Sequence, residues 1–266
     1  MIHNPQGGRM AEGLVTLEFR GDVAWIGLDR AAKRNAISDA LLAALDERVA
    51  QAQARARAIV LFGHGPCFSA GLDLAEHRDR TAEEVFEHSR SWHRVFRRLR
   101  AGRVPAIAAV HGACVGGGLE LAAACHIRVA DETAFFALPE GTRGIFVGGG
   151  ASVHVARLIG TGRMTDMMLT GRALDATAAE RAGLVTYLVP GGDAPAKAEE
   201  VAARVAKMAP LTVLGILGAL PRIASMAEED GLFVESMMAA LAQTGPDAAQ
   251  RLADFVKKRA PKAGEA

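Results

Sequence analysis

The chain has 266 residues, 50% of them hydrophobic, with 31 Lys and Arg against 30 Asp and Glu. That is ample apolar material for a large buried core in one domain or two, and a formal net charge of +1 gives no electrostatic ground for nucleic acid or an acidic membrane as a partner. The three cysteines, Cys67, Cys114 and Cys125, cannot all pair within one chain and lie in apolar surroundings, so they read as buried thiols in a reducing compartment, without zinc-type spacing.

Residues 1–12 mix His, Asn, Pro and Gly without an apolar stretch, which reads as a flexible tail and not as a signal peptide. No apolar run approaches the ~20 residues of a bilayer span, so the cytoplasm is the default location. Leu14–Phe19 and Val23–Leu28 flank Arg20-Gly21-Asp22 as a hairpin. A helix is predicted from Ser38 to about Ala54, with Leu41, Leu45 and Val49 on one face. Ala58–Phe62 is a short buried strand. Thr81-Ala-Glu-Glu84 is a capping-box pattern that opens a helix to about Arg100. Ala106–Val110 is another strand, and it empties into a glycine run. This alternation implies parallel strands with crossover helices and a ligand site beyond strand ends. Beyond Pro190 only helices are expected: Ala194–Met208, Leu211–Ile223, Ser225–Gln243 and a last one opened by Thr244-Gly-Pro-Asp247.

The glycine run is His111-Gly-Ala-Cys-Val-Gly116-Gly117-Gly118-Leu-Glu120. Because Leu119–Cys125 has helical composition, unpaired amides at a helix N-terminus should face outward there. Glycines let a ligand oxygen come close to those amides, which suits an oxyanion that develops during a reaction; tight strand-to-helix packing is the plainer alternative. A dinucleotide fingerprint is a weaker reading still: Gly116 and Gly118 start a G-x-G, but Leu121 occupies the third glycine's place. Glu120, three residues after Gly117, lies one helical turn away on nearly the same face. Its apolar flanks predict a desolvated carboxyl with a raised pKa, although a glutamate in a first helical turn is ordinarily a surface residue. Glu140 follows Pro139 in Phe135-Phe-Ala-Leu-Pro-Glu140-Gly, so a stiff segment presents it; a simple loop acid is the alternative reading. A serine nucleophile at Ser69 is disfavoured, because Cys67 stands where the G-x-S-x-G elbow needs its first glycine.

Together, Phe68-Ser-Ala-Gly-Leu-Asp-Leu74, the Gly116–Glu120 run and Pro139-Glu140 resemble the crotonase (enoyl-CoA hydratase/isomerase) superfamily. Further matches are Lys33-Arg34-Asn35-Ala36, Arg157-Leu-Ile-Gly160, Leu169-Thr-Gly171 and Ala182-Gly-Leu-Val185, so the resemblance spans about Leu14 to Lys258. It implies a crotonase-like α/β fold: a spiral of ββα units over residues 13–190, and a C-terminal helical region, 191–266, that builds trimers or dimers of trimers. It also implies an acyl-CoA substrate, with coenzyme A as part of that substrate and no separate cofactor or metal.

By the same resemblance Ala70 and Gly117 supply two oxyanion-hole amides, and Glu120 and Glu140 move protons. Substrate contacts are implied at Lys33, Arg34 and Ala36; at Ser69, Ala70, Leu72, Asp73 and Leu74; at Gly116 and Gly117; and at Phe255 and Lys258. Two glutamates favour a hydratase that adds water across the double bond of a 2-enoyl-CoA. An enoyl-CoA isomerase or an aromatic hydratase-lyase are the alternatives within the fold, and a non-catalytic acyl-CoA- or RNA-binding member is the alternative outside catalysis. The chain departs from the family pattern in Gly144-Ile-Phe-Val-Gly-Gly-Gly150, where proline is frequent, at His126, where aspartate is common, and at Asp29 and Ala31.

Overall fold

The computed structural model describes residues 13–76 and 80–256, so the tail expected over residues 1–12 lies outside it. The described chain forms two compact units that divide between Ala206 and Lys207.

The first unit opens on strands β1 (Val15–Arg20) and β2 (Val23–Leu28), paired antiparallel around Gly21, whose φ of 58° suits a glycine. Helix α1 (Asp39–Arg55) starts at Ser38, whose side chain accepts from the Leu41 amide at 3.1 Å, and it buries Leu41, Leu45 and Val49 as their spacing predicts. Strand β3 (Ala58–Gly63) follows. Helix α2 (Ala82–Arg100) begins with the Thr81 and Glu84 capping box fully formed.

Next come β4 (Ala106–Val110), β5 (Ala113–Val115), α3 (Gly117–Ala124), β6 (Ile127–Asp131) and β7 (Phe135–Ala137). The unit closes with α4 (Ala151–Ile159), α5 (Thr161–Thr170), β8 (Leu174–Asp175), α6 (Ala176–Arg181), β9 (Tyr187–Val189) and α7 (Ala194–Ala206).

Six strands form one sheet in the order β1-β2-β3-β4-β6-β9, parallel throughout except for the opening hairpin. Each strand is laid beside the last, so the sheet grows in one direction along the chain. Its central parallel strands β2, β3 and β4 are apolar on both faces and both faces are covered. One side packs Ile26, Ile59, Leu61 and Ala108 against residues of α1, α2 and α3. The other packs Trp25, Val60, Ile107 and Val129 under the alanines and Val201 of α7. The compositional change near residue 190 therefore precedes the structural division by one helix, whose small residues seat it on the sheet. A second sheet, β5-β7-β8, pairs β5 parallel and β8 antiparallel to β7. The three cysteines are free and buried.

The second unit is helical: α8 (Pro210–Leu214), a π-helical turn over Gly215–Ala219, α9 (Leu220–Ile223), α10 (Glu228–Gln243) and α11 (Pro246–Val256). The single helix expected over Leu211–Ile223 is interrupted. Pro221 has no N–H to donate and its ring crowds the preceding turn, and the widened turn closes instead with the Leu220 amide on the Gly215 carbonyl.

Candidate active site

The segment carrying Ala70, Leu72 and Leu74, the start of α3 with Gly116 before it, the inner face of α2 and the loop that carries Arg143 and Ile145 surround a cavity of about 600 Å³ in the first unit. Its reactive wall comes from two backbone segments pressed together. A Cβ built on Gly117 would lie 3.3 Å from the Leu72 nitrogen and 2.5 Å from the Trp92 ring. One built on Gly71, whose φ is 92°, would lie 2.5 Å from the Val115 carbonyl oxygen. Only glycine permits that approach at either position.

The amides of the 68–73 segment can be accounted for one at a time. Phe68 donates to the His111 carbonyl, Ser69 to Ala113, Ala70 to Arg34 at 2.9 Å and Asp73 to Ile37. The Gly71 amide donates to the Ser69 hydroxyl at 3.1 Å. Among the described residues nothing accepts from the Leu72 amide, nor from that of Gly117 at the first position of α3. This corrects the expectation for Ala70: its N–H is committed, and the unengaged pair is Leu72 and Gly117. The cause lies in the 33–36 turn, where Arg34 and Asn35 both adopt left-handed conformations, with φ of 51° and 53°. The Arg34 carbonyl is thereby turned onto Ala70, and alternation along an extended segment then leaves the next outward amide at residue 72.

Asn35 sets that turn. It is fully buried, and its side-chain nitrogen donates to the carbonyls of His64, Cys67 and Phe68. Ser69 is also interior, with its hydroxyl donating to the Asn35 carbonyl at 2.8 Å, so it braces the loop and does not face the cavity. Asp73 pairs with Arg30 at 2.6 Å, and this guanidinium holds its carboxyl below the usual range.

Glu120 projects from α3 into the cavity wall and is buried. Its Oε1 accepts from the amides of Gly149 at 2.8 Å and Ala151 at 3.0 Å. Burial, aided by the nearby Glu140, raises its pKa to about 7 against the opposing pull of those amides. Glu140 lines the same cavity, is buried, and has its pKa raised by desolvation. Its Oε2 is buried without a hydrogen-bond partner among the described residues, and a Cβ on Gly116 would strike its Oε1 at 2.5 Å. Two carboxyls whose pKa values burial raises thus share one cavity with two unengaged amides.

The remaining implied contacts separate. Ala70, Leu72, Leu74, Gly116 and Gly117 line the cavity. Lys33 and Arg34 are exposed on the turn, with Ala36 half-buried beside them. Phe255 is exposed in the second unit, and Lys258 lies outside the described residues. Among the described residues no group of three or more His, Cys, Asp or Glu is arranged to hold a metal ion.

The profile of the enoyl-CoA hydratase/isomerase family matches residues 18–265. The chain belongs to that family. It is similar to the 2,3-dehydroadipyl-CoA hydratase of Escherichia coli K12, at 32% identity over 95% of this chain and 98% of the relative. Among solved structures it resembles a provisionally assigned enoyl-CoA hydratase from Rhodopseudomonas palustris CGA009, with a TM-score of 0.90 and 50% identity over 92% of this chain and 95% of that one. It also resembles the enoyl-CoA hydratase of Bacillus anthracis, with a TM-score of 0.87 and 31% identity over 94% and 98% of the two chains. The mixed α/β architecture with its one-way strand order is the crotonase fold.

Sequence reasoning missed the Leu72 amide, the Gly149 and Ala151 donors to Glu120, and Trp92 as the floor between Gly117 and Gly149. Only the second left a trace in the sequence: the Gly148-Gly149-Gly150 run, noted above as a departure from the family, contains Gly149 and is followed at once by Ala151.

Proposed function

We propose that the protein is an enoyl-CoA hydratase that converts a 2-enoyl-CoA and water to a 3-hydroxyacyl-CoA. The observation that carries this reading is the pair of buried carboxyls, Glu120 and Glu140, on one wall with the unengaged Leu72 and Gly117 amides. The thioester oxygen accepts from those two amides, which polarise the conjugated double bond and stabilise the enolate as it forms. Glu120, fixed through Oε1 by two backbone amides, keeps Oε2 for the attacking water and takes its proton as the hydroxyl adds at C3. Glu140, whose pKa burial raises, delivers in its protonated form a proton to C2, and proton return from Glu120 to Glu140 restores the starting state. Net addition is one water, and the scheme uses no metal or redox cofactor.

The test is hydration of a panel of 2-enoyl-CoA thioesters, followed by loss of the conjugated-enoyl absorbance, beside a 3-enoyl-CoA and feruloyl-CoA. Hydration of 2-enoyl-CoA with little turnover of the other two supports the reading. Turnover confined to the 3-enoyl-CoA or to feruloyl-CoA would replace it with isomerase or hydratase-lyase.

A further inference from the structure

Beyond the reacting groups the cavity changes character. Its outer part lies between the first two turns of α2, which contribute Ala82, Val85 and Phe86, and the loop carrying Ile145, Phe146 and Val147. Phe86 is 62% exposed and Phe146 71% exposed, so the mouth is an open slot with apolar walls. The two polar side chains on the inner face of α2 are already engaged. The Ser89 hydroxyl donates to the Gly148 carbonyl at 2.6 Å, and His88 Nε2 lies 3.1 Å from Trp92 Nε1 and 2.8 Å from Asp39 Oδ1. At the inner end Trp92 closes the path, with its ring where a Cβ of Gly117 or Gly149 would otherwise sit. An acyl group held at the Leu72 and Gly117 amides therefore cannot extend inward past Trp92 and must leave along the apolar slot. A space of about 600 Å³ falls in the range of drug-sized ligand sites, ~300–1,000 Å³, far more than a four-carbon acyl group fills.

We infer that the preferred substrates carry apolar acyl chains longer than four carbons, and that Phe86 and Phe146 set this preference by lining the chain beyond C4. The inference rests on the acyl-CoA reading of the site. Each methylene moved from water into such a slot strengthens binding by about fourfold, so burial of even two separates long from short chains by at least tenfold. Among the described residues Arg143 is the one arginine or lysine on the cavity wall, and a carboxylate at the end of the acyl chain is the competing ligand that it would serve.

Calorimetric dissociation constants for butyryl-CoA and decanoyl-CoA, which cannot be hydrated, test chain preference separately from catalysis. Relative kcat/KM values for crotonyl-CoA, trans-2-decenoyl-CoA and an enoyl-CoA with a terminal carboxylate complete the comparison. We expect decanoyl-CoA to bind at least about tenfold more tightly than butyryl-CoA, and the decanoyl-to-butyryl ratio to fall at least about fivefold in the Phe86→Ala/Phe146→Ala double variant. Both rings are exposed, so the variant should melt close to the parent. A ratio near one, or one that the double variant leaves unchanged, overturns the inference. So does a preference for the carboxylated substrate that Arg143→Gln abolishes. Tight decanoyl-CoA binding without hydration of any 2-enoyl-CoA would sustain the slot and sink the hydratase reading instead.

Discussion

The two carboxyls and the two amides make separable demands at the level of single residues. Glu140→Gln keeps volume but cannot release a proton to C2, so hydration should fall by about 10²-fold or more while acyl-CoA binding persists. Near-parent turnover in that variant would remove Glu140 from the mechanism. Glu120→Gln should lose comparable activity, and it also tests the cost of burying this group. Its pKa is raised from 4.5 to about 7 in the folded protein, so between those values the folded state binds more protons than the unfolded one. Stability therefore falls as pH rises through that window, by on the order of 3 kcal/mol at its full extent above pH 7. A glutamine can accept the Gly149 and Ala151 amides without that penalty. The variant should melt several degrees above the parent at pH 8, roughly 2–4 °C per kcal/mol, and close to it near pH 4.5. A higher melting point at acidic pH only would contradict the burial argument. The amides can be probed by exchanging the backbone N–H for oxygen with an α-hydroxy acid. At Leu72 this should cost about 10²–10³ in kcat with little change in melting temperature. At Ala70, whose N–H holds the Arg34 carbonyl, it should cost about 1 kcal/mol of stability. The reverse pattern would return the oxyanion role to residue 70.

Elements deliver these groups to one place, and they differ in how plainly the sequence announces them. The long helices α1 and α2 and strands β1 to β4 were legible because apolar period, a Ser38 cap and the Thr81 capping box all agree. Strands β5, β7 and β8, two or three residues each, are too short for alternation to show, although they hold Gly116 and Glu140 in position. Glu120 and Glu140 were legible because glycine and proline mark their surroundings. The choice between residues 70 and 72 was not, since it depends on a carbonyl supplied by a turn some 35 residues earlier in the chain. His126 is a further element-level device. Its Nδ1 accepts from the Ala106 amide and its Nε2 donates to the Arg100 carbonyl, each at 3.0 Å, so one neutral ring ties the C-terminus of α2 to the starts of β4 and β6. Burial depresses its pKa to about 4. Between about pH 6.5 and 4 the unfolded state takes up a proton that the folded state refuses, so stability is lost as pH falls through that range. His126→Gln can offer an acceptor and a donor without titrating. Its unfolding free energy should therefore depend less on pH between 6.5 and 4 than the parent's, and an unchanged slope in denaturant titrations would show that other groups govern acid unfolding.

At the scale of the whole molecule, the second unit leaves much apolar surface uncovered. Leu220, Leu232, Phe233, Met237 and Leu241 are each at least half exposed, as are Phe255 and Val256 at the end of α11. Monomeric soluble proteins rarely present so many large apolar side chains on one small unit, and symmetric self-association is the usual way to bury them. The family resemblance implies trimers or dimers of trimers, so sedimentation should give a mass of three or six chains of 27.9 kDa. The same resemblance carries CoA contacts from the last helix of a neighbouring subunit, which makes assembly and substrate affinity separable consequences of one element. Removal of the residues after Asp247 deletes Phe255 and Lys258 together. If both consequences hold, the truncated protein should show a raised KM for 2-enoyl-CoA with kcat less affected, because the lost contacts hold the CoA moiety in ground state and transition state alike. Phe233→Asp, which places a charge on an exposed face of α10, should instead shift the mass toward monomer, with KM rising only as trimers are lost. A truncated protein with unchanged mass and unchanged KM would confine α11 to covering its own unit, and a Phe233→Asp protein that stays fully assembled would place the subunit interface on another face.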